Sequence, residues 1–161
     1  MKYTYILLAA LFIVSCTNKM EDAGTLNKTA SLPAAFDFNK RGWKVITSFI
    51  NRQQATMSTL YGNEAAFKYA TTSTSGSYPP GAALALVTWK QQEDKRWYGA
   101  SIPGQLQTLE LVSTIAANGS DTTATYHQYK GADLTPVPPT DSLQDNTRIK
   151  YILGQKASVL P

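Results

Sequence analysis

Residues 77–112 read SYPPGAALALVTWKQQEDKRWYGASIPGQLQTLELV, and this stretch decides the fold. The break at Pro79, Pro80 and Gly81 releases an unbroken apolar run from Ala82 to Trp89. A charged QQEDKR turn follows, then an aromatic segment, then a further run from Gln105 to Val112. Short apolar runs separated by breakers predict an antiparallel sheet. The run Ala82 to Trp89 is short for a helix, and Val87, Thr88 and Trp89 favour extended backbone. Alternation places Ala83, Ala85, Val87 and Trp89 on one side, and Ala82, Leu84, Leu86 and Thr88 on the other. Both sides are apolar, so both are expected to be covered, by a core and by a helix or second subunit. The alanines beside Trp89 leave room for a large neighbour, either packed side chains or a ligand.

Downstream, the strand ending at Val112 is free to continue to Ile115. Asn118-Gly119 is the strongest hairpin signal in the chain. The return strand is Thr122 to Tyr129, and residues 130–140 (KGADLTPVPPT) read as a proline-rich loop. Asp141 with Gln144 forms a capping box, and Leu143, Ile149, Ile152 and Leu153 make an intermittent helical stripe. Upstream, Ser31 to Arg41 carries the punctuation of a short helix, with an early proline and Gly42 after it. WKVITSFI and ATMSTLYG then form a hairpin turning at Asn51 to Gln54, although Trp43, Ile46, Phe49 and Ile50 also fit a helical spacing. Gly62-Asn63 caps a short helix, EAAFKYATT. No internal repeat is present. The resulting order predicts an α+β domain, a single antiparallel β-sheet with flanking short helices.

Hydrophobic residues make up 43% of the 161-residue chain and charged residues 16%, enough for a real core in one modest domain. The net charge of +4 is scattered, with Lys40, Arg41 and Lys44 the densest group, so nucleic acid is not an expected partner. Met1-Lys2 followed by the apolar YILLAALFIV of residues 5–14 reads as a leader too short to span a bilayer comfortably. It ends in Ile13-Val14-Ser15-Cys16, which looks like a bacterial lipobox. Cys16 is the single cysteine, which suits lipid attachment and leaves no internal disulfide. Residues 1–15 are therefore expected to be a signal peptide, 16–30 a polar tether and 31–161 the domain. The expected location is the cell envelope, lipid-anchored; Thr17, in place of an inner-membrane-retaining aspartate, favours the outer membrane.

Four segments in order, TLYGNEAA, YPPGAALALVTWKQQED, WYGASIPG and LELV, resemble the cytochrome P-460 family, which includes the cytochromes called c-prime-beta. The resemblance covers roughly Trp43 to Val112. It implies an antiparallel sheet with flanking helices and a homodimer formed by packing sheets together. Haem-bearing members are periplasmic c-type proteins that oxidise hydroxylamine or bind nitric oxide. Those activities depend on a C-terminal Cys-x-x-Cys-His that holds the haem and supplies its axial ligand. Residues 130–161 contain neither cysteine nor histidine, so no residue of that motif carries over, covalent haem is excluded and the inherited activity is in doubt. No cofactor is expected, with a non-covalent haem as the alternative.

Few residues remain that carry chemistry. His127, the single histidine, lies between Tyr126 and Tyr129; it is read as hydrogen-bonded and structural, or else as a haem ligand or acid/base. One imidazole makes no zinc cluster, and no Ser-His-Asp triad is readily built. Glu110, inside LELV, shares a face by alternation with Leu106, Thr108 and Val112. It is expected at the surface, because an unpaired buried carboxylate is costly; in a pocket it would be a general base. The candidate ligand-binding set is thus His127, Glu110, Tyr126, Tyr129 and Trp89, with no catalytic and no metal-ligating residue assigned. Two functions compete: a lipid-anchored binding protein for a small ligand or protein partner, and a redox enzyme holding haem through His127. The first is the expectation.

Overall fold

The computed structural model describes residues 27–73, 77–117, 122–139 and 142–158. Its centre is one six-stranded antiparallel sheet in which every strand pairs with its sequence neighbours. The strands are β1 (Lys44–Asn51), β2 (Thr56–Gly62), β3 (Ala83–Glu93), β4 (Ser101–Ala116), β5 (Thr122–Lys130) and β6 (Thr135–Val137). Helix α1 (Glu64–Thr72) crosses between β2 and β3, and α2 (Ser142–Leu153) follows β6. This is the α+β architecture the sequence predicts. The Asn118-Gly119 turn and the Asp141 cap lie outside the described residues.

The hairpin reading of residues 43–62 is correct, and the helical alternative is not adopted. Asn51 Oδ1 accepts from the backbone N–H of Gln53 and of Gln54, both at 3.1 Å, which folds the connection between β1 and β2. Asn63 is a junction: its Oδ1 caps α1 through Ala66 N–H at 3.0 Å and accepts from Ala83 N–H at 3.1 Å. Its Nδ2 donates to Gly81 O at 2.8 Å, locking the Pro-Pro-Gly break to the start of the helix. Gly81, at φ 84°, turns the chain into β3, and the buried Thr114 hydroxyl binds Pro79 O at 2.6 Å beneath it.

Three expectations change. Residues 31–41 form no helix beyond a single 3-10 turn at Ala34–Phe36. The segment instead unrolls to lay aromatic rings on the sheet: Phe38 stacks on Trp43 and on Tyr61, with centroids 5.1 Å apart in both pairs. Burying those rings outweighs local helix punctuation. Second, strand β3 runs on through Gln91 and Gln92 to Glu93, so the turn is confined to residues 94–100. Third, the loop at 130–140 contains β6, which pairs with Gln128 to Lys130.

Both faces of β3 are covered, as expected, but by the chain itself. On one face Ile46, Leu60, Leu84, Leu86 and Val112 meet Ala66 of α1 and Ile152 of α2. On the other, Ala85, Val87, Trp89, Leu106 and Leu109 meet Phe38 and Leu134, with Leu32, Phe36 and Trp43 packed around them. The apolar pattern of β3 therefore calls for no second subunit. The fold also begins upstream of Ser31, since Ala30 O accepts from Trp89 Nε1 at 2.8 Å.

Candidate functional site

The first face of the sheet changes character along its strands. Near α1 the inward positions are Leu60, Leu84 and Val112. Towards the β1–β2 turn they become Thr56 and Ser58 on β2, Thr88 on β3, and Thr108 and Glu110 on β4. The register sets Ser58 beside Thr88 and Thr88 beside Thr108, and sets Glu110 between Leu86 and Gln128. The two helices cover the apolar end fully. Over the polar end only the side chains of Arg148 and Tyr151 reach out from α2, leaving a groove of about 250 Å³.

Glu110 forms the inner wall. Its residue exposure is 2%, so the surface position expected from the sequence is wrong. What makes burial tolerable is a full set of partners. Arg148 Nε donates to Oε1 at 2.8 Å and Nη2 to Oε2 at 2.6 Å, a bidentate clamp, while the Tyr126 hydroxyl donates to Oε1 at 2.6 Å. The Arg148 guanidinium also lies 4.8 Å from the centre of the Tyr151 ring. Burial, then the bond to Glu110, push the Tyr126 phenol well above its ordinary range. The Glu110 bonds hold the Arg148 guanidinium still more firmly protonated. A carboxylate engaged this completely anchors α2 to the sheet.

The rest of the groove is polar and uncharged. Amides come from Asn51, Gln54, Gln107 and Gln128, and hydroxyls from Thr56, Ser58, Thr88 and Thr108, with Phe49 and Tyr151 as aromatic walls. Ser58 and Thr88 share a hydrogen bond of 3.0 Å. Among the described residues no buried side-chain nitrogen or oxygen lacks a partner, and no group of three or more His, Cys, Asp and Glu could hold a metal ion.

The five candidate ligand-binding residues divide between two faces. Glu110 lines the groove, and Tyr126 on the same face donates to its carboxylate. Trp89 and Tyr129 belong to the opposite core, Trp89 bonded to Ala30 O and Tyr129 edge-on to Phe36 at 5.3 Å. His127 is exposed and paired across the ladder with Leu111, on the side of the sheet away from the groove. Leu106 is likewise on that opposite side, because a bulge at the Thr88/Trp89 step shifts the alternation of β4 before Thr108. Cys16 lies outside the described residues. The sequence reading missed Arg148. Its signal was a cation beside the apolar Ile149 and Ile152 of one helix, matching an acid embedded in an apolar strand.

A protein-family model described as Cytochrome P460 matches residues 37–144, which include the whole sheet and Glu110 but stop short of Arg148. A comparison with curated proteins finds no match. The residues present do not fit the covalent haem of that family. These 161 residues hold no Cys-x-x-Cys-His, and the segment after the match places Arg148 and Ile152 directly on the sheet. The groove beside Glu110, at about 250 Å³, falls below the roughly 300–1,000 Å³ of pockets for drug-sized ligands. The single imidazole faces the other way.

Proposed function

The chain belongs to the cytochrome P460 family, which relates it to haem proteins, and from that premise we propose a lipid-anchored binding protein of the bacterial cell envelope. In this reading the groove beside Glu110 and Arg148 takes a small, uncharged, hydroxyl- or amide-bearing molecule, and no haem is attached. The observation that carries it is the lining: eight neutral donors and acceptors and two aromatic walls surround an ion pair whose charges are already matched. Such a surface rewards a ligand that exchanges hydrogen bonds without bringing net charge, and stacking on Tyr151 would orient it. Its volume suits something the size of a monosaccharide or smaller.

Anchoring rests on the sequence of residues 13–16 and on Cys16 as the single cysteine, with Thr17 favouring the outer membrane. The reading keeps a homodimer, although the sheet-on-sheet packing that the family implies would have to use surface outside the two covered faces of β3. Sedimentation over a concentration series that shows only monomer would remove that part. Haem held non-covalently by His127 draws its support from the family alone.

The test of the groove is protein-observed NMR with a panel of monosaccharides, small polyols and short amides. Saturable shifts confined to Thr56, Ser58, Thr88, Thr108 and Gln128, lost in Thr88→Val, are expected. Shifts elsewhere, or none across the panel, would overturn the assignment.

A further inference from the structure

The end of the sheet farthest from α1 carries features that the groove does not use. The β1–β2 turn (residues 52–55) and the β3–β4 turn (residues 94–100) lie at one end of the sheet, where Gln91 N–H of β3 donates to Ala55 O at 2.7 Å, and Arg52, Ala55, Glu93 and Gly99 border an open cleft of about 610 Å³. Trp97 is 71% exposed and Tyr98 fully so, and Ile50 on the cleft wall is half exposed. Exposed Arg52, Lys90, Lys95 and Arg96 share this end with Glu93 and Asp94, which leaves it net basic. Large aromatic rings projecting among cations are the composition of a membrane-interface contact, in which ring and cation each find their preferred depth.

A separate observation points to the same end. The Asn27 side chain, at the start of the described residues, donates to Pro103 O at 2.8 Å. Pro103 pairs with Gln91 close to the turn, whereas the far end of β4 at Ala116 lies roughly 43 Å away along the strand. About eleven peptide units separate Cys16 from Asn27, and these span at most about 40 Å even when fully extended. The chain leading from Cys16 therefore meets the domain at the turn end of the sheet, and a lipid on Cys16 holds that end nearest the bilayer with the least extension.

We infer that this end of the sheet, with Trp97 and Tyr98 on its β3–β4 turn and Ile50 at the end of β1, rests on the anionic lipid surface to which the chain is tethered. This rests on anchoring at Cys16. Docking would fix the height and tilt of the domain and hold the groove, which opens on a sheet face, to one side of the membrane.

The test uses the full chain, purified from bacterial membranes and reconstituted into phosphatidylethanolamine/phosphatidylglycerol vesicles with brominated acyl chains. Subtracting the emission of Trp97→Phe isolates Trp97 from Trp43 and Trp89. Its emission should be quenched by roughly half or more, as for rings seated about 5–10 Å into the interface. Lys95→Glu with Arg96→Glu should restore emission without releasing the protein. Protein that floats with the vesicles but keeps Trp97 unquenched overturns docking and leaves anchoring standing. Protein that does not float, with no acyl group in its N-terminal mass, overturns both. Concentration-dependent shielding of Trp97 without bromolipid would mean contact between copies, which also overturns the inference.

Discussion

Replacing Arg148 by Met exposes the energetics of the buried carboxylate. Methionine keeps most of the aliphatic stem beside Tyr151 but removes both bonds to Glu110. A buried ion pair broken on one side typically costs about 3–5 kcal/mol. Two features lower that here: the Arg148 side chain is 41% exposed, so water partly screens the pair, and the Tyr126 hydroxyl stays in place. The expected loss is therefore about 2–4 kcal/mol. Urea unfolding at pH 7 reads the effect directly. Glu110→Gln combined with Arg148→Met should be less damaging at pH 7 than Arg148→Met alone, because no charge is then stranded. A loss below about 1 kcal/mol, or a double variant at least as unstable as the single one, would refute the reasoning.

Tyr126→Phe should cost about 1.5 kcal/mol, the lower range for a bond to a charged group, by chemical denaturation near neutral pH. Because the folded-state phenol is raised, its contribution persists below the ordinary tyrosine range and fades above it. The wild-type advantage over Tyr126→Phe should therefore shrink in strongly alkaline solution, and a constant difference would contradict it. Trp89→Phe removes the bond to Ala30 O, worth about 0.5–1.5 kcal/mol, and should speed amide exchange at Phe36 and Trp43 before the sheet responds. Gly62→Ala puts a methyl 2.6 Å from Ile46 Cδ1 and 3.0 Å from Ala66 Cβ, so a loss of about 1–3 kcal/mol is expected by thermal denaturation.

Much of this architecture was legible because β-strands announce themselves by breakers and alternation. The eight-residue run at Ala82, the EAAFKYATT helix with its asparagine cap, and the return strand at Thr122 all follow from short-range chemistry. The segment at 31–41 did not, because its aromatic residues act through long-range packing on Trp43 and Tyr61 that local punctuation does not encode. The site was half legible. Glu110 and Tyr126 could be singled out, but whether the face of Glu110 met water depended on a helix thirty-eight residues later in the chain. Strict alternation also misplaced Leu106, since a single bulge inverts every side chain beyond it. Trp89 attracted notice as a ligand wall, and its indole instead ties the N-terminal segment to the sheet.

Haemin titration, followed in the Soret region, tests most directly whether this P460 chain has exchanged haem for another ligand. With no thioether bond, a haem would depend on an axial ligand and on apolar walls, so loss of the single imidazole would be decisive. The account predicts weak, unsaturable absorbance changes that are the same in wild type and in His127→Ala. A saturable one-to-one complex with an imidazole-type spectrum, abolished by His127→Ala, would contradict it.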